Sequence, residues 1–451
     1  MKATQIEFAF SLYQEHLEEA SFLYQQRLGL FDDPQITWLD VEGFEDRFEA
    51  HIDGLVAGGD WGLELCKQQA AEGDFGELHA ALRVICREQR WDQAQEVLKA
   101  LDYGDPKKIK AAVDALKYEL PSRWERDFIQ LLAAGEEKLM PLVSEVAGYR
   151  RMAAGKELSR LLPEKNFPAL STVIWALGRL RAQEARAWLL QDYLTHEDES
   201  VRRATALALL RMGEAQTIDQ CLRPANFGNW VLLPLGLGGS SAAVPFLLKK
   251  VSGETAGPDG LLALGLLGDI SAVEPLLIHL ADTKLAENSA LALNLITGAE
   301  IYEQAFLPEE IDEDELFEEE REKFKQGQVP TRPDGKPFGI TITRISQNPE
   351  EWQNWWSKNR SQFKPDIRYR NGKPYSPACL LENLESEKSP RRIRQLAYEE
   401  LVIRYGVDFP FETDMFVVQQ KKAIAKYAEW VKTSGKRFHD GEWYFAGQLM
   451  S

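Results

Sequence analysis

Apolar residues recur along most of this chain at steps of three and four, the spacing that gathers them on one face of an α-helix. Over residues 4–28 that face comprises Ile6, Ala9, Phe10, Tyr13, Leu17, Ala20, Tyr24 and Leu28. Gly29 and the Asp32-Asp33-Pro34 turn predict its end. Phe44, Phe48, Ile52 and Leu55 form a second stripe that stops at Gly58-Gly59. Shorter helical runs follow at about 61–71, 75–89, 91–101, 107–118, 123–134 and 140–153. Short helices joined by short turns predict antiparallel neighbours.

From about Leu170 to Gly298 the pattern becomes a repeat: an apolar helical run, a small or glycine turn, then a second apolar run. The clearest copies are Leu235–Leu248 and Leu264–Leu277, with Gly239 and Gly268 in one register, 29 residues apart. Arg181 and Gly213 hold the same place in earlier copies, 32 residues apart, and Gly239 follows Gly213 by 26. The second helices carry Leu189-Leu190, Leu247-Leu248 and Leu276-Leu277, pairs expected to pack on the next repeat. Helical self-similarity at this period predicts an all-α fold, an α-solenoid of stacked hairpins sharing one core.

Past Gly298 the repeat stops. Ile301–Phe306 is expected to finish a helix, and Pro308–Asn348 to form a loop in which Gly339–Thr343 pairs as a short strand. Glu350–Phe363 reads as a helix, and Asn371-Gly372 marks a small β-hairpin within Asp366–Tyr375. Residues 377–385, 389–404 and 412–432 read as further helices, and the aromatic tail Gly441–Gly447 is expected to dock. Four regions result: an irregular helical region at 1–165, the repeats at 166–300, an acidic, proline-containing insertion at 301–348, and a helical C-terminal region at 349–451.

Charge narrows the partners. The chain of 451 residues carries a formal net charge of −18. Glu309–Glu322 alone contributes −9, whereas residues from Pro365 onward sum to +2. So acidic a chain is a poor ligand for a phosphate backbone, and no nucleic-acid partner is expected. The four cysteines stand apart, with no CxxC pair, and are expected to be reduced and buried. With neither a secretory-signal pattern nor an apolar run of about 18 residues, a cytoplasmic location and no membrane partner are expected.

The search for chemistry returns turns and surfaces. Gly236–Ser241 suggests a phosphate loop but lacks the GxxxxGK[ST] spacing, and its register matches the Gly268 turn. It is read as an inter-helix turn whose glycine relieves a positive-φ constraint. His196-Glu197-Asp198-Glu199 reads as a polar turn rather than a cation site, and His51 as a surface or interdomain contact. Asp312–Glu315 lacks the calcium-loop spacing. No catalytic residue, cofactor or metal site is expected. Trp352, Trp355 and Trp356 share one helix face, which serves either as a partner hot spot or as a cap on the last repeat. Arg391, Arg392 and Arg394, with Lys421, Lys422 and Lys426, form a basic surface for a partner or a solvated helix face.

The repeats resemble HEAT-type repeats of the short bacterial kind, also found in phycobilisome-lyase-like proteins. Phe44–Leu55, the repeats and Arg368–Gly372 together resemble a proteobacterial HEAT-repeat family encoded near type VI secretion genes, beside PAAR-like spike proteins. That resemblance implies a cytoplasmic accessory factor, an adaptor or chaperone that helps load a spike or effector protein, and it brings no catalytic residues. The expected mechanism is recognition along the concave face of the stack, completed by the C-terminal region. Two alternatives stand beside it. One is a lyase-like enzyme on a HEAT scaffold. The other is an immunity or inhibitor protein whose acidic block plugs a toxic effector.

Overall fold

The computed structural model describes residues 3–134, 137–164, 167, 169–223, 228–253, 256–309, 313, 316, 318–327, 331 and 335–450. The chain opens with α1 (Ala3–Leu30), α2 (Glu42–Ala57) and α3 (Asp60–Glu72), which pack on one another. A row of helices then runs through the molecule. It consists of α4 (Phe75–Arg87), α6 (Pro106–Glu119), α8 (Met140–Arg150), α10 (Leu170–Leu180), α12 (Glu199–Arg211), α14 (Leu232–Gly238), α16 (Pro258–Leu267) and α18 (Ala286–Thr297). Each row helix packs on the next. A second set of helices alternates with them in sequence: α5 (Trp91–Ala100), α7 (Glu125–Gln130), α9 (Gly155–Ser159), α11 (Arg186–Trp188), α13 (Gln216–Leu222), α15 (Ala243–Val251) and α17 (Val273–His279). The fold is an all-α solenoid. One hydrophobic core runs through it from Leu17 to Phe445.

A recurring glycine–alanine contact sets the spacing of the row. A Cβ on Gly178 would lie 2.6 Å from Ala208 Cα, and one on Gly265 would lie 2.8 Å from Ala292 Cα. Gly148 faces Ala176, and Gly236 faces Ala263, with the same 2.8 Å clearance. Backbones therefore approach more closely than any side chain at these glycines would permit. In α12 the corresponding residue is Leu210, and Gly238 of α14 leaves room for its methyl groups.

From α8 onward the row helices end as the repeat register requires, with one exception. Arg151, Arg181, Gly213, Gly268 and Gly298 all have positive φ, between 50° and 82°. This left-handed residue stops the helix and turns the chain. Gly239 differs: its φ is −66°, so the positive-φ expectation fails there. Glycine is required at that turn for space, because a Cβ would sit 2.4 Å from Leu235 O.

Beyond Gly298 the expected helix end is instead strand β1 (Tyr302–Pro308), antiparallel to β2 (Gly339–Ile345). Left-handed Gly298 has already closed α18, and exposure alternates residue by residue along β1, the signature of a ribbon with one covered face. Between the strands lies α19 (Glu318–Lys325). Of the acidic block expected to act as a plug, residues 310–312, 314, 315 and 317 lie outside the described residues.

The C-terminal region comprises α20 (Pro349–Asn359), the hairpin β3 (Tyr369–Arg370) and β4 (Lys373–Pro374), α21 (Pro377–Glu385), α22 (Arg391–Tyr405), α23 (Val417–Ser434), and the hairpin β5 (Tyr444–Phe445) and β6 (Gln448–Leu449). Its own small core gathers Tyr375, Leu380, Leu401, Phe411 and Tyr427. Asn371 and Gly372 have φ of 53° and 74°, as the Asn-Gly turn predicts. Tyr444 and Phe445 of the tail are buried.

Candidate functional site

The row helices α4, α6, α8, α10 and α12 each bring a cation, within or just past the helix, to one edge of the row: Arg83, Lys117, Arg151, Arg179 and Arg211. The segment between α22 and α23 lies along these cations. Asp408 pairs with Arg211 at 3.0 Å, and Glu412 pairs with Arg179 at 3.1 Å and Arg151 at 3.4 Å. Asp414 approaches Lys117 at 3.6 Å, and the Phe416 ring lies 5.1 Å from the Arg83 guanidinium. Glu399 of α22 binds both Arg179 and Arg211. Burial would raise the Glu399 carboxyl, but the two guanidiniums outweigh it and bring the carboxyl down to about 2. For Glu412, burial outweighs its arginines and holds the carboxyl above the usual carboxylate value.

For α14, α16 and α18 the C-terminal region supplies the donors. Arg404 donates to Gly236 O at 2.9 Å and Gly239 O at 3.2 Å. Arg368 donates to Leu267 O at 2.9 Å and Leu266 O at 3.1 Å. The amides of Asn371 and Gly372 donate to Leu295 O and Ile296 O. The last carbonyls of a helix lack partners within it and carry the negative end of its dipole, so cations and N–H donors belong there. This edge of the stack is therefore covered by the chain itself, and recognition of a partner along it would require displacing residues 399–416.

A cleft of ≈ 580 Å³ lies where the two ends of the solenoid come together. One wall is the segment from Leu30 to Glu45, which comprises the α1–α2 loop and the helix ends beside it; the others are α18, the β1–β2 ribbon and residues 387–394. Gln35 of the loop donates across to Thr341 O of the ribbon at 3.3 Å. Phe31, Trp38, Val41, Leu291 and Ile342 make much of its surface apolar. Arg391 stacks on Phe31 at 4.1 Å and donates to Thr413 Oγ1 at 3.2 Å. Arg394 stacks on Trp38 at 4.0 Å. A second groove, of ≈ 570 Å³, is lined only by residues of α8, α10 and α12.

The predicted site residues divide between support and surface. Trp352 is buried and donates its indole N–H to Ser346 O at 2.6 Å. Trp356 is buried and donates to Glu274 of α17 at 2.9 Å, with Phe363 packed beside it. These two indoles cover the last repeat and present no surface to a partner. Trp355 is half-buried near Phe363. Arg394 corrects the basic-surface expectation: it is 1 % exposed, packed behind Trp38, and donates to Leu384 O at 2.9 Å. Arg391 and Arg392 are exposed, and Arg392 pairs with Asp259 at 3.0 Å. Lys421 pairs with Glu42 at 2.7 Å.

Other candidates prove structural. Burial pushes the Cys66 and Cys221 thiols up to about 12, away from nucleophile chemistry. His51 contacts His16, Nδ1 to Nδ1, at 3.1 Å. Asp198 accepts from Ser200 N at 2.7 Å, so the His196–Glu199 turn caps α12. Among the described residues no group of three His, Cys, Asp or Glu side chains could hold a metal ion, and no helix is long and apolar enough to cross a membrane.

Residues 151–222 match the family model for HEAT repeats. This stretch runs from the left-handed Arg151 to the end of α13, and holds the Gly178–Ala208 contact and three cations of the ladder. Over these residues the chain is similar to HEAT repeats, a class commonly used as protein-interaction scaffolds. No curated protein matches the chain.

Proposed function

We propose that this chain is a non-catalytic protein-binding scaffold whose docking site is the cleft between the Leu30–Glu45 segment, α18, the β1–β2 ribbon and residues 387–394. The observation that carries this reading is the cleft's composition. It combines an apolar lining with the exposed Arg391 and Arg392 and half-buried Arg344, at a place where four separate segments converge. Apolar anchors beside arginine are the residue types that dominate binding energy at protein interfaces. The cation-bearing edge of the stack is already occupied by the chain's own C-terminal segment.

The finer role, an adaptor or chaperone that loads a secretion spike or effector, is supported by the family resemblance alone. The two local segments of that resemblance have architectural tasks here. Phe44–Leu55 lies in α2, and Arg368–Gly372 caps α16 and α18. A photo-crosslinking amino acid at Thr343, exposed on the cleft wall, is expected to capture the protein that co-purifies with the chain. The same group at Ile278, 74 % exposed on α17, is expected not to. Capture from Ile278 and none from Thr343 would overturn the reading.

A further inference from the structure

The wall of the cleft holds two buried hydrogen-bond donors that have no acceptor among the described residues. Arg394 is 1 % exposed, and its Nη2 has no partner; the indole Nε1 of Trp38 is buried and has none either. The two groups stack on each other at 4.0 Å, and both residues line the cleft. Nor is the Arg394 guanidinium neutralised. Among the described residues it forms no ion pair, its Nε is spent on Leu384 O, and the charged neighbour that acts on it is a second cation, Arg391. Burial first, and Arg391 second, bring its proton affinity down to about 9. A buried cation without a counter-charge is costly, and so is an indole N–H without an acceptor. One acceptor carrying negative charge would answer both. The cleft these donors line has an apolar part, Phe31, Val41, Leu291 and Ile342, beside carboxylates that include Glu287 and Glu387.

We infer that the cleft captures a carboxylate on an apolar body, and that its source is the free C-terminus of the partner protein, ending in apolar residues. A carboxylate offers two acceptor oxygens in one plane, which suits the fork of a guanidinium. Arg394 and the Trp38 N–H bind the terminal carboxylate, Arg391 adds charge at the mouth, and the apolar wall takes the last side chains. Capture of a chain terminus is an established mode of peptide recognition. The inference rests on the cleft being the docking site, and adds which part of the partner enters it.

The test is fluorescence anisotropy on the full chain. The probe is a pool of fluorescein-labelled hexapeptides with randomised apolar residues at the last two positions and a free C-terminus; the control is the same pool as C-terminal amides. The free acids are expected to bind at least tenfold more tightly than the amides. Arg394→Met and Arg391→Met are each expected to lose at least tenfold for the acids and little for the amides. Arg391 is exposed, so its variant keeps the test open should Arg394→Met fail to fold. Equal binding of acids and amides, wild-type affinity in both variants, or binding of 3-phenylpropionate with none of the peptide pool would each overturn the inference. Loss of crosslinking at Thr343 would instead count against the docking site itself.

Discussion

Arg211 and Asp408 meet at 3.0 Å across 197 residues of sequence, and Arg211 is buried where they do. The pair ties the last turn of a repeat helix to the segment that covers the row. Its neighbours Glu399 and Tyr398 bind the same guanidinium. Removing Arg211 leaves Asp408 without this cation and Glu399 with Arg179 alone of the two. Arg211→Met is therefore expected to cost about 3–5 kcal/mol, the usual loss when a buried pair is broken from one side. Arg392→Met removes an exposed pair and should cost about 0–1 kcal/mol. Urea unfolding of both variants checks the contrast.

Acid should release the same latch. The Glu399 carboxyl sits at about 2 in the folded chain, against an ordinary value of 4.5. A depressed carboxylate contributes stability that is present above the unfolded value and lost as pH falls through the folded one. The window is therefore roughly pH 5 down to pH 2, and the difference corresponds to roughly 3 kcal/mol. Glu399→Gln should be less stable at neutral pH and less sensitive to acid across that window. Unfolding free energies at several pH values in both proteins measure this.

The glycine contacts predict a steric penalty. Gly178→Ala would put a methyl group 2.6 Å from the Ala208 backbone, so the helices must separate, at about 1–3 kcal/mol. At Gly43 in α2 an added methyl group would meet nothing within 4 Å, and Gly43→Ala should leave stability unchanged or slightly raised. Thermal unfolding of the two variants separates crowding from propensity.

Much of this architecture was legible in local sequence. Helical spacing located α1, α2 and the row, and the register of Arg181, Gly213 and Gly268 marked left-handed helix ends. Arg181 belongs to that register although it is not a glycine, because its place in the turn matters more than its type. What local pattern could not show was pairing at a distance. Strand β1 reads as a helix end until its partner, 339–345, is known. Arg394 reads as one of three surface arginines until Trp38, from a loop more than 350 residues earlier, covers it. The cation ladder left a signal: Arg83, Lys117, Arg151, Arg179 and Arg211 recur at helix ends about every thirty residues, a spacing that apolar patterning alone does not reveal.

The tryptophans offer a fourth test. Trp352→Ala empties a buried site over the last repeat and should cost about 3–5 kcal/mol. Trp355, half-buried at the edge of the same helix, should cost clearly less when changed to alanine. Equal losses would place both indoles in the cap.

The docking site itself is tested most directly by hydrogen exchange, comparing the chain alone with the chain bound to its co-purifying protein. The account predicts new protection in residues 30–45, 340–347 and 387–394, the walls of the cleft, with α11, α13 and α15 unchanged. Protection confined to those three helices, with the cleft walls exchanging as before, would contradict it.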